Sequence, residues 1–600
     1  MEKHQVQVEL QPIGLRIKVP AGTSVLEAAH LAGAELVALC GGKGVCGTCR
    51  VRLLSGELSP ASDTEKDELA AEDLKAGVRL ACEALLLGDA RLEIPRESLT
   101  TPQRLQLEGQ ELPTVMDPVI RLHDVRLKPP DLDDLGSDFT RLGTAVPGGN
   151  ARASLDVLST ISENLRRNGW HVSVALRGDE IVAIIPPGTK PYGLAVDVGT
   201  TKLAAYLVNL ENGSTVAKSG AMNPQIAFGE DIISRIEYTN RNSNGARSLQ
   251  TRLVDALNTL LEELCQQVHA STEQVMEAVI VGNTAMHHLL AGLPVRQLGE
   301  SPYVAAVSEP LDFLASELDL HLSPGAHVYL PPNIAGYVGA DHVSMLIGSR
   351  LQEAAVTTLA LDIGTNTEIS LFHEGKHWSC SCASGPAFEG AHIGDGMRAA
   401  PGAIERVRIE GTQIQVHTIN EQAACGICGS GILDAVAEFR RVGLLDERGA
   451  FRGVHPNLIE EDGEVCFLLV DASDQEDGRR VRVSRKDINE IQLAKGAIRT
   501  GIEILLSEAG IQADQIEQFI VAGAFGTYLD VGSAIRIGMF PDIPLKRFRQ
   551  VGNAAGEGAR QLLVSNRLRA EAVQMSKRVM YVELARHAQF MKTYVKALAL

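Results

Sequence analysis

The sequence predicts a multidomain protein built from α/β and α+β units, and three observations favour this class. The chain has 600 residues, several times the length of an ordinary domain. After residue 95 the alternating apolar pattern gives way to a polar, proline-containing stretch without periodicity. Further on, an apolar strand followed by a glycine–threonine turn occurs twice, at Asp197 and at Asp362. The copies lie about one domain length apart, which predicts a duplicated α/β unit.

Composition narrows the class of function. The chain is 45% hydrophobic and 22% charged, as in ordinary globular proteins, and no apolar run approaches the ~18 residues of a membrane helix. The N-terminus lacks the apolar core of a signal peptide, so we expect a cytoplasmic protein without a membrane partner. The net charge of −19 argues against nucleic acid as a ligand, because a phosphate backbone requires a basic face. The ten scattered cysteines predict no disulfide framework.

Four of these cysteines predict a metal cluster. Cys40, Cys46 and Cys49 share one glycine-rich loop in the pattern C-x5-C-x2-C, and Cys82 follows separately. Three thiolates from one loop and a fourth from across the fold suit a [2Fe-2S] cluster. The glycines also suit it, because they allow positive φ angles and inward-pointing N–H groups. A disulfide explains neither the glycines nor the third cysteine. A zinc site is the alternative, although zinc motifs favour two paired C-x2-C units.

The residues around the cysteines indicate the fold of this first unit. Residues 5–20 alternate as two strands about a turn, and residues 23–33 form a capped helix that ends at a glycine. This order resembles the β-grasp fold of plant-type ferredoxins, which we assign to residues 1–95. The first cysteine gap is usually four residues in those proteins, so the gap of five here points to longer-loop relatives.

A linker and a small α+β domain are predicted next. Residues 96–117 are polar and proline-containing, as linkers are. In the domain predicted over residues 118–188, a strand precedes a helix, and a hairpin follows with its turn at 177–179. The expected apolar face of the helix consists of Leu155, Leu158, Ile161 and Leu165. No chemistry is visible here, so a spacer or docking module is expected.

The duplicated turns predict a nucleotide clamp within residues 189–600. In each, glycine lets the backbone approach a phosphate, while the threonine hydroxyl and turn N–H groups donate to its oxygens. The aspartate at the strand end suits Mg²⁺ or the attacking water. A third glycine-rich turn follows the buried strand before Gly523. The predicted catalytic residues are Asp197 and Asp362, and the predicted nucleotide-binding residues are Gly199, Thr200, Thr201, Gly364, Thr365, Asn366, Gly523 and Gly526.

Glu389 is a further candidate catalytic residue. Its carboxylate follows a Gly-Pro turn near the clamp, where it suits either positioning of water or metal, or capping of a helix. Other thiols and imidazoles are better explained as packed residues than as ligands. They are Cys380 with Cys382, Cys425 with Cys428, and His287 with His288.

The motifs resemble those of a known superfamily. Residues 197–201, 362–366 and 521–526 are similar to the phosphate-1, phosphate-2 and adenosine motifs of the acetate and sugar kinase/heat-shock/actin (ASKHA) ATPases. This resemblance implies a duplicated, actin/hexokinase-like (RNase H-like) domain over residues 189–600. The order of ferredoxin, linker, small middle domain and ASKHA domain resembles one family, the reductive activators of corrinoid proteins.

That family resemblance implies a function. Its members return an oxidised corrinoid cobalt(II) to cobalt(I) at the expense of ATP, so we expect a [2Fe-2S] cluster, ATP and Mg²⁺ as cofactors. The expected partners are a corrinoid protein of a methyltransferase system, an upstream electron donor and a second copy of the chain, bound through the ASKHA domain. Two alternatives stay open: an ASKHA activator of another low-potential electron acceptor, and a redox-sensing kinase or ATPase regulator.

Overall fold

The computed structural model describes residues 4–11, 14–32, 34, 36, 49–95, 111–113, 116–229, 231–390, 392–461, 463–471 and 480–600. Cys40, Cys46 and most of the predicted linker lie outside these residues. In the described part of the chain, no helix is both long and apolar enough to cross a bilayer.

The N-terminal unit, residues 4–95, is a five-stranded mixed sheet in the order β2-β1-β5-β3-β4 with short helices against it. Val6, Val8 and Leu10 of its first strand are buried, while the residues between them face outward. The first strand pairs parallel with the last and antiparallel with the second. This arrangement confirms the predicted β-grasp fold. The elements are β1 (Gln5–Gln11), β2 (Leu15–Pro20), α1 (Val25–Leu31), β3 (Arg50–Leu58), α2 (Asp63–Glu68), α3 (Ala71–Lys75), β4 (Val78–Leu80) and β5 (Leu86–Glu93).

The second unit is a four-stranded sheet in the order β6-β8-β9-β7 with two helices. Its elements are β6 (Ile120–Arg126), α4 (Asp138–Ala145), β7 (Arg152–Ala153), α5 (Leu155–Arg167), β8 (His171–Arg177) and β9 (Glu180–Ile185). The predicted hairpin is confirmed. The predicted helix face was partly wrong, because Leu155 opens α5 and is 82% exposed. Val157 takes its place and is buried with Ile161 and Leu165 at a spacing of four residues.

The first lobe, residues 192–348, is built on a six-stranded sheet in the order β12-β11-β10-β13-β15-β14. Helix α7, with 23 residues, is its longest described helix. Its elements are β10 (Tyr192–Val198), β11 (Lys202–Asn209), β12 (Thr215–Met222), α6 (Ile232–Arg241), α7 (Gly245–Gln267), β13 (Val275–Gly282), α8 (Thr284–Leu290), β14 (Leu311–Leu314), β15 (His327–Leu330) and α9 (Ala340–Gly348).

The second lobe, residues 358–597, has a main sheet in the order β26-β25-β16-β17-β18-β27 and two smaller sheets, β20-β19-β21 and β22-β23-β24. Its strands are β16 (Thr358–Ile363), β17 (Thr367–His373), β18 (Lys376–Cys382), β19 (Ala403–Glu410), β20 (Gln413–Thr418), β21 (Gly426–Ile427), β22 (Leu458–Glu461), β23 (Glu464–Val470), β24 (Val481–Ser484), β25 (Gln518–Ala522), β26 (Phe548–Gly552) and β27 (Met580–Tyr581). Its helices are α10 (Gly429–Arg441), α11 (Arg485–Ala509), α12 (Ala524–Tyr528), α13 (Val531–Arg536), α14 (Ala554–Val564), α15 (Asn566–Arg578) and α16 (Phe590–Ala597).

The two main sheets repeat one topology. In the first lobe, β10, β11 and β12 form an antiparallel meander, and β10 also pairs parallel with β13, which pairs with β15. In the second lobe, β16, β17 and β18 form the same meander, and β16 pairs parallel with β25, which pairs with β26. The repeat confirms the predicted duplicated domain.

Two helices join the lobes. Helix α14 follows the last parallel strand of the second lobe and packs against β10, β13 and α9 of the first. A Cβ atom at Gly558 would lie 1.8 Å from the carbonyl oxygen of Ser344, and one at Gly348 would lie 2.2 Å from that of Ala554. Only glycine permits this close approach of the two backbones. The lobes therefore share an apolar core along α9 and α14.

Candidate functional site

The two predicted phosphate loops face one another across a cavity of about 180 Å³ between the lobes. The first loop, residues 197–201, follows β10 and is closed by a hydrogen bond from the Gly199 N–H to the Lys202 carbonyl (2.9 Å). The second loop, residues 362–366, follows β16 and is closed from the Gly364 N–H to the Asn366 carbonyl (3.1 Å). Of the predicted catalytic and nucleotide-binding residues, the cavity is lined by Asp197, Gly199, Thr200, Thr201, Asp362, Gly364, Thr365, Asn366, Glu389 and Gly523.

The two aspartates differ in their surroundings. Desolvation raises the pKa of Asp197 to about 6, and a hydrogen bond from Asn553 Nδ2 to Asp197 Oδ2 (3.0 Å) opposes that rise. Desolvation, reinforced by the charge of Asp197, raises the pKa of Asp362 to about 7. Asp362 is therefore the carboxylate better able to exchange a proton near neutral pH.

Sequence reasoning missed two further carboxyl groups in the cavity, Asp341 and Glu368. Asp341 lies in the first turn of α9, and Glu368 lies on β17, where Ser381 Oγ donates to its Oε1 (3.1 Å). Burial raises the pKa of each carboxyl well above its ordinary value, and neighbouring carboxylates add to the shift. A signal for Asp341 was its place two residues after Gly339, in the first turn of a helix that follows a glycine-containing stretch.

Glu389 connects the two loops. Thr201 Oγ1 donates to Glu389 Oε2 (2.7 Å), and Thr365 Oγ1 donates to Glu389 Oε1 (2.5 Å). The residue ends the short 3-10 helix Pro386–Glu389, so its carboxylate bridges the lobes rather than capping that helix. One carboxylate thus accepts hydrogen bonds from two of the three threonine hydroxyls that were predicted to bind phosphate.

Buried polar groups fix the first loop from behind. Asn223 Nδ2 donates to the Gly199 carbonyl (2.9 Å), and Asn283 Nδ2 donates to Thr200 Oγ1 (3.0 Å). The buried guanidinium of Arg235 donates to the Thr200 carbonyl. These bonds, of which the one from Arg235 is charge-assisted, hold the loop in one geometry, which favours binding of a phosphate without reorganisation.

The third glycine turn abuts the second loop. Gly523 has φ of +92°, and a Cβ atom there would lie 2.5 Å from the Ile363 carbonyl and 2.7 Å from Asp362 Oδ1. Glycine is therefore required for this turn to reach the second loop. Gly526 does not line the cavity; it packs against its own strand, where a Cβ would lie 2.8 Å from Val521 Cγ1.

The N-terminal unit brings two of the predicted cluster ligands together. Cys49 immediately precedes β3 and Cys82 follows β4, and the antiparallel pairing of Arg50 with Leu80 places both cysteines at the same end of these strands. The two sulfur atoms lie 3.4 Å apart, whereas a disulfide bond measures about 2.05 Å. This thiol pair fits ligands of one cluster. Cys40 and Cys46 lie outside the described residues.

The residues that the sequence set aside are packed. His287 and His288 are buried on α8, and His288 Nδ1 lies 2.7 Å from the Thr284 carbonyl oxygen. Cys380, Cys382 and Cys428 are buried too, and burial raises the pKa of each thiol. Among the described residues, no three His, Cys, Asp or Glu side chains are grouped to hold a metal ion.

Comparisons with known proteins agree with this architecture. Residues 8–87 match the family of 2Fe-2S iron-sulfur cluster binding domains. Residues 109–191 match the RACo linker region, residues 192–354 the RACo middle region, and residues 356–600 the C-terminal domain of RACo, the ASKHA domain. The unit predicted as a middle domain over 118–188 thus falls in the region that the family describes as its linker.

Relatives match along nearly the whole chain. The corrinoid activation enzyme RamQ of Eubacterium limosum is 30% identical over 577 residues, which are 94% of each protein. The chain belongs to the reductive activators of corrinoid proteins. A family relative from Methanosarcina barkeri, the [Co(II) methylated amine-specific corrinoid protein] reductase, is 25% identical over 65% of this chain and 73% of its own length.

A solved family structure has the same overall fold. The reductive activator for corrinoid, iron-sulfur protein superposes with a TM-score of 0.73 and 31% identity, covering 99% of this chain and 98% of the other. Within the family, this chain therefore combines a [2Fe-2S] cluster-binding domain with an ASKHA domain.

Proposed function

We propose that this protein reduces the cobalt(II) of a corrinoid protein to cobalt(I), using ATP and electrons that pass through its N-terminal unit. One observation carries the proposal: a [2Fe-2S] cluster-binding domain packs directly against the second lobe of a two-lobed cleft with paired phosphate loops. The names of relatives, a corrinoid activation enzyme and a corrinoid protein reductase, support the same substrate class.

The two parts of the chain supply different things. When bound, a [2Fe-2S] cluster supplies single electrons, at a potential that its ligands and hydrogen bonds tune within limits. Reduction of ligated cobalt(II) is uphill for an ordinary donor of this type, so a second input of energy is required. Closure of the lobes on ATP supplies this energy if the closed form binds the corrinoid protein with a different affinity from the open form.

The cavity residues have distinct proposed roles in ATP hydrolysis. The two loops, with Thr200, Thr201, Thr365 and Asn366, donate hydrogen bonds to phosphate oxygens. Asp197 and Asp362 would hold Mg²⁺, which would offset the negative charge of the phosphate oxygens. Glu389 exchanges its two threonine hydroxyls for the attacking water when the lobes accept a phosphate.

Partners and location complete the proposal. We infer a cytoplasmic protein that takes electrons from an upstream donor, pairs with a second copy of itself through the ASKHA domain, and binds neither nucleic acid nor membrane. The division of the chain at residues 95, 117 and 188 stays a prediction.

The test mixes the reduced full-length protein with Mg–ATP and candidate corrinoid proteins and follows conversion of the cobalt(II) absorption band to that of cobalt(I). We expect conversion that requires both ATP and the cluster. The variant Cys49→Ser should lose the cluster and cobalt reduction while it keeps nucleotide binding. Turnover of ATP without cobalt reduction by any corrinoid protein would favour a redox-sensing ATPase instead.

A further inference from the structure

The N-terminal unit docks on the segment that borders the nucleotide cavity. Its apolar core is continuous with Met397, Ala400, Ala403, Ile419 and Cys428 of the second lobe. We name residues 397–403 the docking segment. The Met397 N–H donates to the Ile427 carbonyl (2.9 Å) in β21, the strand that precedes α10, and the Gly402 N–H donates to the Ile419 carbonyl (3.0 Å) just after β20. Cys428 and the first residues of α10 line the cavity. The docking segment and the start of α10 therefore face the cavity on one side and contact the N-terminal unit on the other.

Arg398 of the docking segment reaches both sides of this wall. Its side chain lines the cavity, and its Nη1 donates to Gln11 Oε1 at the end of β1 (3.0 Å). Arg398 is 8% exposed and Gln11 is 2% exposed, so the bond is shielded from water. A Cβ atom at Gly14 would lie 3.8 Å from Arg398 Cγ, which places the turn after β1 against the arginine stem.

Positive charge is scarce in the cavity. Among the described lining residues, Lys202 and Arg398 are the basic side chains. The carboxyl groups that line it are Asp197, Asp341, Asp362, Glu368, Glu389 and Glu405. Burial lowers the pKa of Lys202 at the first loop; the charge of Glu389 opposes this shift, and the charge of Arg398 adds to it, so Arg398 lies close enough to act on that loop. A bound triphosphate adds negative charge, which increases the attraction on both cations.

We propose that Arg398 is a positioning residue shared between the N-terminal unit and the nucleotide, so that binding of a nucleoside triphosphate and docking of the N-terminal unit weaken each other. Phosphate draws the guanidinium away from Gln11, and the N-terminal unit is released to carry its electron to a partner. By linkage, a docked N-terminal unit lowers nucleotide affinity by the same factor. This inference rests on the proposed nucleotide site.

Opposite substitutions at Gln11 separate coupling from simple damage. The holoprotein variants are titrated calorimetrically with Mg–AMP-PNP, a non-hydrolysable ATP analogue. Gln11→Leu removes Gln11 Oε1 as an acceptor for Arg398, so the analogue should bind about 5–10-fold tighter, within the usual range of coupling between sites. Gln11→Glu offers Arg398 a carboxylate, so binding should weaken about 5-fold. Lys18→Ala, at an exposed position of β2, is the control and should leave the affinity unchanged.

A double-mutant cycle shows whether the effect passes through Arg398. Arg398→Gln should weaken binding of the analogue, because it removes one cavity cation, and Gln11→Leu should then have no further effect. Dissociation constants for both Gln11 variants within twofold of the parent would overturn the coupling, as would an undiminished Gln11→Leu effect beside Arg398→Gln. If the parent itself binds no analogue, the proposed nucleotide function fails instead.

Hydrogen exchange on the parent holoprotein provides a measurement independent of substitutions. Mg–AMP-PNP should speed amide exchange several-fold in peptides that cover β2 and the docking segment, because release of the N-terminal unit admits water to both. The visible spectrum of the cluster, unchanged throughout, reports that the N-terminal unit stays folded. Unchanged exchange at saturating analogue would also overturn the coupling.

Discussion

The two lobes share one strand topology and one loop chemistry, but their aspartates lie in different surroundings. In the first lobe, Asn553 donates to Asp197, and buried amides and Arg235 hold the loop behind it. In the second lobe, Asp362 has the charge of Asp197 nearby and a higher pKa, and the same lobe provides Glu389 and the docking segment. The duplicated topology thus sets the positions of the two aspartates, whereas the residues around them, Asn553 before α14 and the groups of the second lobe, make their pKa values differ.

Loss of the second-loop carboxylate, Asp362, should change ATP turnover more than any other substitution that distinguishes the two loops. Asp362→Asn removes the second-loop carboxylate that is proposed to hold Mg²⁺, and of the two aspartates it is the one whose pKa lies nearer neutrality, so ATP turnover should fall by about 10²–10⁴-fold. Asp197→Asn should mainly weaken binding of Mg–ATP, with a smaller loss of turnover. Steady-state ATP hydrolysis and calorimetric binding separate the two. Equal losses of turnover in both variants would mean that the loops are chemically equivalent.

The same Asp362→Asn variant should be more stable than the parent when no nucleotide is bound. The pKa of Asp362 is raised from 3.8 to about 7 in the folded protein, so this carboxyl group costs stability as the pH rises between those values and costs it in full at pH 8, whereas the neutral amide does not. Thermal unfolding at pH 8 measures it, and an unchanged cluster spectrum is the control for the N-terminal unit. A lower melting temperature in the variant would contradict the assignment.

Removal of the bridge between the loops should have the next largest effect. Glu389→Gln keeps the shape of the side chain but loses the carboxylate that accepts from Thr201 and Thr365. We expect turnover of ATP to fall by about 100-fold while the affinity for Mg–AMP-PNP changes little. Glu405→Gln, another carboxyl group at the cavity, is the matched control. Equal turnover in the Glu389 variant and the parent would leave the bridge as a structural contact only.

Acidification should weaken nucleotide binding through both loops. Asp197 and Asp362 have pKa values of about 6 and about 7, so both become protonated as the pH falls from 8 to 5.5 and lose affinity for Mg²⁺. The affinity for Mg–AMP-PNP should fall by about 100-fold over that range if both carboxylates are needed. The nucleotide-free protein should lose stability as the pH rises from about 4 to about 7, because the unfolded chain ionises these carboxyls first. Calorimetry and thermal unfolding across that range measure both trends.

The smallest effect is expected at Asn553, which donates a hydrogen bond to Asp197 of the first loop. Asn553→Ser keeps an oxygen that can cap α14 but is too short to donate to Asp197. The pKa of Asp197 should rise, so the pH profile of Mg–AMP-PNP binding should shift upward by about half a unit. An unshifted profile would show that Asn553 does not set the difference between the loops.

Much of this architecture followed from local pattern. The alternation in residues 5–20, the C-x5-C-x2-C spacing and the repeated strand-turn-strand motif each involve neighbours in sequence, so they predicted the β-grasp unit and the duplicated lobes. Asp341 and Glu368 were missed because neither lies in a turn motif; they reach the cavity through the packing of α9 and β17. Leu155 was wrongly predicted to be buried, because helical periodicity does not show at which residue a helix begins to pack against the rest of its domain.

The sequence by itself determined which residue types lie at each turn: thiols at the cluster loop, and aspartate, glycine and threonine at the two phosphate loops. Tertiary structure alone decided that Glu389 joins the two loops and that Arg398 joins the cavity to Gln11. The physical reason is range. Turn chemistry acts between residues a few positions apart. The contacts of Glu389 with Thr201 and of Arg398 with Gln11 join residues 188 and 387 positions apart, and only the packing of the lobes and the N-terminal unit brings them within hydrogen-bonding distance.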